Sequence, residues 1–423
     1  MKQYPFPKSR WLSAAFTALL FSLLLLCRDT LLTALRLGFF RAQFGMLAIM
    51  VLVGIAFLGV NRRQLRQIAR DRRTGLMGAF ALIYLLAMVC KRDWQMMYLS
   101  VALCPVFAIF LTFFTDSCRV SRAYLKGLTV LAAYSLIATY GLRELAWKGI
   151  FIPPVRTNSA GMEFYDYILC FAGVNPYWHR NFGIFREPGV YQFFLILGLY
   201  ANHYLASWDR AWKTWLICAV LALTMVTTFS VPGLIELVLF AVFVYFDRGY
   251  YRTKPGKWAG LCVIGLVVLL AIPILAELKT GKIASGTTVW FEFYDIVVRL
   301  TTDSESLLDR FSAYLTDIAL FSRHPLLGAD FAAVLHGTNH NTSSTLILFA
   351  AAGLLGGAAG VIVWVGMLWD KKRNLFGNLI LLGILFLSFN TQNLVADLFF
   401  WLFPCMEFAQ RVLPKIQKTG EDG

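Results

Sequence analysis

A chain of 423 residues that is 58% hydrophobic and only 15% charged, with a mean hydropathy of +0.64, has too few ionisable side chains to clothe a soluble domain of that size. Its formal net charge of +15 invites a nucleic-acid reading. The basic residues argue against that reading, because they sit at the ends of apolar runs and not on one polar domain.

Lipid offers a backbone no hydrogen-bond partners, so spanning elements are helices or closed barrels, and a helix needs about 20 mostly apolar residues. The apolar runs have helix length. They lie at about 11–27, 44–60, 75–90, 95–114, 127–142 and 188–206, then at about 214–229, 233–247, 258–276, 343–369, 376–390 and 395–409. The expectation is an all-α polytopic integral membrane protein, a single membrane domain over residues 1–423 with about 12 transmembrane helices. The first run has a basic start and a Leu-rich centre at Leu23 to Leu26, yet Cys27, Arg28 and Asp29 make no small-residue cleavage site, so it reads as a retained span. Residues 214–247 are either two full spans or one broken helix, because Val231, Pro232 and Gly233 punctuate two short runs.

Lys and Arg are retained in short cytoplasmic loops. Alternate segments hold Lys2, Lys8 and Arg10, then Arg62 to Arg73, Arg119 to Lys126, Arg210 and Lys213, Arg248 to Lys257, Lys371 to Arg373, and Arg411 to Lys418. This pattern puts both termini inside. Arg36 and Arg41, in the first outer loop, fit it least. Two large loops then face outward, 143–187 and 277–342.

Cys104, Cys218, Cys262 and Cys405 fall within spans and Cys118 in an inner loop. There is no CxxC, no Cys/His ligand set and no Gly-rich phosphate loop, so neither disulfides nor a metal nor a cofactor is expected. The energy for any reaction then arrives with the substrate or from a gradient.

Polar residues gather in the two outer loops. The first carries Arg156, Glu163, Asp166, His179, Arg180, Arg186 and Glu187, and ends in Phe185-Arg186-Glu187-Pro188-Gly189 directly against a span. Arg186 either faces a polar cavity or snorkels at the interface paired with Glu187. In the second, Asp303 can cap a helix whose apolar positions Leu307, Phe311, Leu315, Ile318 and Phe321 recur at helical spacing. That helix is expected on the membrane surface or over the mouth of the bundle, with Arg310 and Asp317 two turns apart on its polar face. Pro325 and Gly328 stop it. His179 and His336 belong to no motif and read as solvated loop residues.

Asp309-Arg310-Phe311, then His324-Pro325-Leu326-Leu327-Gly328, then His340-Asn341 before a Gly-rich span at Gly353 to Gly360, resembles the O-antigen polymerase and ligase superfamily. Phe185 to Gly189 with Tyr191-Gln192 resembles its polymerase members, so the chain looks most like a Wzy-type polysaccharide repeat-unit polymerase. The resemblance implies a glycosyltransferase on the periplasmic face of the bacterial inner membrane, joining oligosaccharide units carried on undecaprenyl pyrophosphate. A chain-length regulator and a flippase would be its partners. The activated leaving group travels with the substrate, which agrees with the missing nucleotide and metal motifs. Arg186 and Arg310 would hold the departing pyrophosphate, since arginine binds it in forked geometry. His340 would be the general base, with Glu187 as the second choice. Asn341 would orient His340 or a sugar hydroxyl, Asp317 would support the site, and His324 would either do so or simply end its helix. Many ligases of the superfamily carry an arginine after a serine where this chain has Ser230-Val231, which weighs against the ligase alternative, transfer of polysaccharide to lipid A core. A transporter or flippase is the alternative of another class. It would place ionisable groups or broken helices at mid-membrane, and the runs hold almost no charge away from their ends.

Overall fold

The computed structural model describes residues 10–27, 30–38, 41, 44–52, 71–114, 117–158, 161–175, 179–254, 257, 305–336 and 343–419. It is 75% helical. The helices are α1 (Arg10–Leu25), α2 (Arg72–Lys91), α3 (Met96–Phe114), α4 (Ser117–Ile137) continuing through a π-helical turn (Ala138–Leu142) into α5 (Arg143–Trp147), and α6 (Pro188–Tyr200). After another π-helical turn (Ala201–Leu205), the third among the described residues counting Thr33–Leu37, come α7 (Ala211–Thr227), α8 (Val231–Asp247), α9 (Glu305–Arg323), α10 (Phe331–His336), α11 (Ser344–Leu368), α12 (Leu375–Asn390) and α13 (Leu398–Thr419).

Local chemistry sets many of these boundaries. Asp71, Ser343 and Asn374 accept the first free backbone N–H groups of α2, α11 and α12, and Pro188 and Pro232 occupy first turns where no N–H is needed. Among the described residues, three helices are long and apolar enough to cross a bilayer, at 72–91, 117–147 and 344–368, and shorter apolar helices lie at 16–25, 96–112, 211–227 and 375–390. Residues 214–247 form two helices, α7 and α8, of 17 residues each. At a rise of about 1.5 Å per residue each is a few ångströms short of a ~30 Å hydrocarbon core. The run expected at 258–276 lies outside the described residues, as do residues 53–60 of the second run and the helix-capping Asp303.

The core is built where α3 packs on α13 and α2 on α11, while α8 lies along α12 and α6 against α7 and α8. Large apolar side chains also cover the outside of the bundle, among them Leu82, Leu86, Trp215, Leu223 and Leu379. Such a surface suits lipid, and the architecture is that of a helical membrane protein.

The helix ends that carry Lys and Arg meet one another. Arg73 lies over the ring of Phe408 at 5.5 Å, Arg411 donates to the carbonyls of Met367 and Trp369, and Gln410 donates to Leu205 O at 3.1 Å. The remaining ends meet at the opposite side of the bundle.

The 143–187 loop is not all coil, so the all-α expectation is corrected. It contains an antiparallel sheet in the order β1 (Val155–Thr157), β2 (Glu163–Asp166), β3 (Phe171–Gly173), with Arg156 opposite Phe164 and Tyr165 opposite Ala172. Its strands are only three or four residues long, too short for alternation to announce them. Phe164, Phe171 and Phe182 close a small core over Leu31. This lobe also explains the outlying Arg36. Its guanidinium grips buried Asp166, which Arg156 also reaches at 3.1 Å, so the segment that carries Arg36 is clamped to the 143–187 loop.

The motif His324 to Gly328 has a structural use. Helix α11 kinks at Gly353, whose φ of +63° favours glycine, and a side chain there would collide with the backbone of Leu326. The freed groups are taken up by the motif and by Lys91: Leu354 N donates to Pro325 O at 2.7 Å, Ala329 N donates to Ala350 O at 2.7 Å, and Lys91 Nζ donates to Ala329 O and Ala351 O at 2.8 and 2.7 Å. A break in a membrane helix is tolerated when neighbouring groups re-satisfy its backbone.

Helix α9 turns its apolar stripe away from the rest of the bundle. Phe311, Leu315 and Ile318 point outward and are exposed, whereas Ala313 and Asp317 are buried and Phe321 meets the ring of Phe349 on α11 at 5.8 Å. In a lipid setting the apolar stripe belongs outside and the polar stripe belongs against protein, which inverts the rule for water.

Candidate functional site

At the end of the bundle away from the basic residues, three segments converge on Asn390-Thr391-Gln392-Asn393. The chain leaves α12 here and crosses to α13 without helical structure. Irregular backbone at membrane depth is tolerated only inside protein or beside a polar space. The segment satisfies that condition: Ser344 Oγ donates to Gln392 O (2.6 Å) and accepts from Leu394 N (2.8 Å), and Trp401 Nε1 donates to Val395 O (2.9 Å). Asp397 caps α13 by accepting from Phe399 N at 2.8 Å and accepts a hydrogen bond from the thiol of Cys27.

The first segment to reach this joint is Phe185 to Gly189. Phe185 is fully buried between the rings of Tyr191 (5.1 Å) and Phe194 (4.4 Å) and pairs in a β-bridge with Thr30, which fixes the backbone of the two residues that follow. Glu187 stands at the N-cap of α6 but its side chain caps nothing. It accepts instead from Gln392 Nε2 at 3.3 Å and pairs with Arg186 at 3.6 Å. The two side chains are 43% and 42% exposed. An ion pair so open to solvent contributes only ~0–1 kcal/mol, so an anionic ligand competes for that guanidinium at small cost.

The second segment is α9. Tyr314 donates to Asn390 O at 2.6 Å, and Ser343, at the head of α11, donates to Asn390 Oδ1 at 2.6 Å. Asp317, one turn further along α9, is buried. The third is a polar seam between α6, α8 and α12. Gln192 Nε2 donates to Thr391 Oγ1 (3.4 Å), Thr391 donates to Ser388 O (2.9 Å), and Ser388 Oγ donates to Glu236 Oε2 (3.3 Å). Gly233 makes room for this seam, because a Cβ there would strike the amide of Gln192. Gln192 and Glu236 are fully buried, and each keeps one side-chain oxygen, Oε1, that accepts no hydrogen bond. Glu236 is one of the few charges the apolar helices hold away from their ends. Burying an acceptor without a donor costs about 1–3 kcal/mol, so such atoms mark a place where a proton, a water or a ligand group belongs.

Of the residues singled out in the sequence, Arg186, Glu187 and Asp317 are drawn toward this joint. His324 is not. It is exposed at the far end of α9, ten residues beyond Tyr314 and so about 15 Å along the helix, where its carbonyl closes the turn to Gly328. The side chain of Arg310 and all of His340 and Asn341 lie outside the described residues. His179 is no solvated loop residue: its Nδ1 meets Arg143 Nη2 at 2.8 Å, and that fully buried arginine lies over the ring of Trp147 at 4.3 Å. In the sequence Gln192 stood out only as part of a motif, and Glu236 and the whole Asn390 to Asn393 run did not, although four polar residues between two apolar stretches are a visible signal. Among the described residues no group of His, Cys, Asp and Glu gathers closely enough to hold a metal ion.

A half-exposed arginine and carboxylate at the rim, backed by hydroxyls, amides and a buried carboxyl, define a helical membrane protein with a polar site at one end of its bundle. No family model matches the chain, and no curated protein is similar to it.

Proposed function

We propose that this protein is an inner-membrane glycosyltransferase that polymerises undecaprenyl-pyrophosphate-linked oligosaccharide units on the periplasmic face, into O-antigen, capsule or exopolysaccharide. The observation that supports it best is the joint at Asn390 to Gln392, to which both the Arg186–Glu187 pair and α9 are hydrogen-bonded. The reaction needs those two elements side by side. The bond between the anomeric carbon of the growing chain and its pyrophosphate breaks, and a bond from that carbon to a hydroxyl of the incoming unit forms. The hydroxyl proton passes to a base, and the pyrophosphate leaves on its lipid.

Arg186 receives the developing phosphate charge, at a height where lipid-borne phosphate lies. Arg310 on α9 is the second cation. Glu187 is the described base, a carboxylate half open to solvent and oriented by Gln392. His340, three residues before Ser343 in the chain, is the other.

A second reading, a transporter of the same lipid-linked units, is favoured by two observations: Glu236 is buried within a helix, and α11 is broken at Gly353. The membrane face on which single units accumulate separates the two. In cells producing the variants Arg186→Ala or Glu187→Gln at normal membrane levels, a polymerase leaves single units on the carrier at the outer face and no long chains. A transporter leaves them at the inner face, and a ligase leaves long chains on the carrier. Long chains of normal length and yield in both variants would remove the polymerase assignment.

A further inference from the structure

The hairpin between β2 and β3 turns through Tyr167-Ile168-Leu169-Cys170, closed by Tyr167 N donating to Cys170 O at 2.9 Å. Two-residue turns of this kind ask for Asn, Asp or Gly, which tolerate positive φ. This one has Ile168 at a φ of +74°, a conformation that a β-branched side chain resists. The side chain gains nothing inside the chain for that strain, since it is 66% exposed.

What surrounds it is also apolar and also exposed. Phe151 stacks on Tyr167 at 6.5 Å, next to the tip, and the N–H groups of Ile150 and Phe151 both donate to Leu145 O, at 3.0 and 3.4 Å. The Ile150 to Ile152 run is thereby folded back on the end of the helix, with Ile152 71% exposed. Along that helix Val130, Ile137 and Leu145 are exposed at spacings that keep them on one face. The outward apolar stripe of a membrane helix therefore continues without interruption onto the lobe. Lys148 lies exposed between the two parts, as a side chain reaching for headgroup phosphate does.

We infer that the β-lobe lies on the bilayer, with Ile152 and Ile168 inserted among lipid headgroups and upper acyl chains. The occupant of the patch is bilayer lipid, because the patch is continuous with the flank of a long apolar helix. The inference depends on the chain being a membrane protein and not on the polymerase assignment. Seating the lobe this way holds Arg186 and Glu187, which follow it in the chain, at the level of lipid phosphates.

The test uses the full chain in nanodiscs, with the exposed thiol of Cys90 and the partly exposed ones of Cys118 and Cys218 removed by Cys90→Ser, Cys118→Ser and Cys218→Ser, and a fluorophore on a cysteine introduced by I168C, I152C or, as control, E163C. Glu163 is exposed at the other end of β2. Lipids brominated on their upper acyl carbons are expected to quench strongly at 168 and 152 and little at 163. Equal quenching at all three, or none at 168 and 152, overturns the inference. Burial of the patch by a protein partner in place of lipid gives no bromine quenching and overturns it as well. Ile168→Asn, which relieves the positive φ, keeps the fold and is expected to lower quenching of the label at 152. Unchanged quenching there shows that Ile168 is not an anchor.

Discussion

The two ends of the bundle handle buried charge in opposite ways. At the basic end Tyr200 donates to Glu407, Arg373 Nη2 donates to Tyr200 Oη at 2.9 Å and reaches Glu407 at 3.4 Å, and Arg411 Nε closes on Glu407 O at 3.1 Å. The guanidinium of Arg373 also lies over the rings of Tyr204 and Phe243, at 5.8 Å from each. Its side chain and that of Glu407 are 9% and 6% exposed. At the other end Arg186 and Glu187 stand half in solvent, and Glu236 and Gln192 each keep an acceptor unused. A compensated charge cluster fastens helices together. A cluster that leaves acceptors open and a cation within reach of solvent is arranged for something that arrives later.

The largest expected effect breaks the fastening. Arg373→Ala leaves Glu407 buried without its cation and should cost about 3–5 kcal/mol, read as a lower unfolding temperature in detergent and less protein in the membrane. Wild-type stability in that variant would mean the basic end is no lock. Arg186→Ala should do the reverse, with stability within ~1 kcal/mol of wild type but polymer formation down by about 10²–10³-fold, the loss typical of one donor to developing charge. Arg186→Lys should recover only part of it, because a point charge does not reproduce the fork. If Arg186→Ala destabilised the protein as Arg373→Ala does, the contrast between the ends would disappear.

A smaller effect sharpens the contrast within the site. Gln392→Leu removes the amide that donates to Glu187 while keeping bulk in the joint. Loss of one hydrogen bond to a charged group should slow polymerisation about tenfold, with protein levels unchanged. An unaffected rate would show that Glu187 is oriented without Gln392, and would leave His340 as the base.

The helical segments were legible because apolar runs need only composition and length, and the runs at 75–90, 95–114 and 376–390 differ from α2, α3 and α12 by a few residues at most. Arg186 and Glu187 were legible because charge directly beside a span is costly without purpose. What composition does not carry is pairing across the chain. Arg36 is out of place by charge pattern alone because its partner Asp166 lies 130 positions away, and Gln392 lies 205 positions from Glu187. The orientation of α9 was not legible for a different reason: periodicity places apolar residues on one face but does not say whether water or lipid is on the other side of it.

The smallest expected effect concerns the clamp on the lobe. Burial by itself would raise the Asp166 carboxyl, but hydrogen bonds from Arg36, the Ile168 N–H and Arg156 outweigh it and hold the group below the usual aspartate range. A carboxyl with a depressed folded-state value contributes stability that is complete above its unfolded value, about 3.9, and is lost as pH falls through the folded one. The lobe should therefore hold at neutral and mildly acidic pH and loosen only below about pH 4. Hydrogen exchange of the Phe171 amide, which donates to Gly183 O at 2.8 Å, follows that loosening. Asp166→Asn should bring it to neutral pH while leaving exchange in α13 and the Arg373–Glu407 cluster unchanged. Equal loosening at both ends would show that the clamp serves the whole bundle, and the lobe would then be part of the lock rather than part of the site.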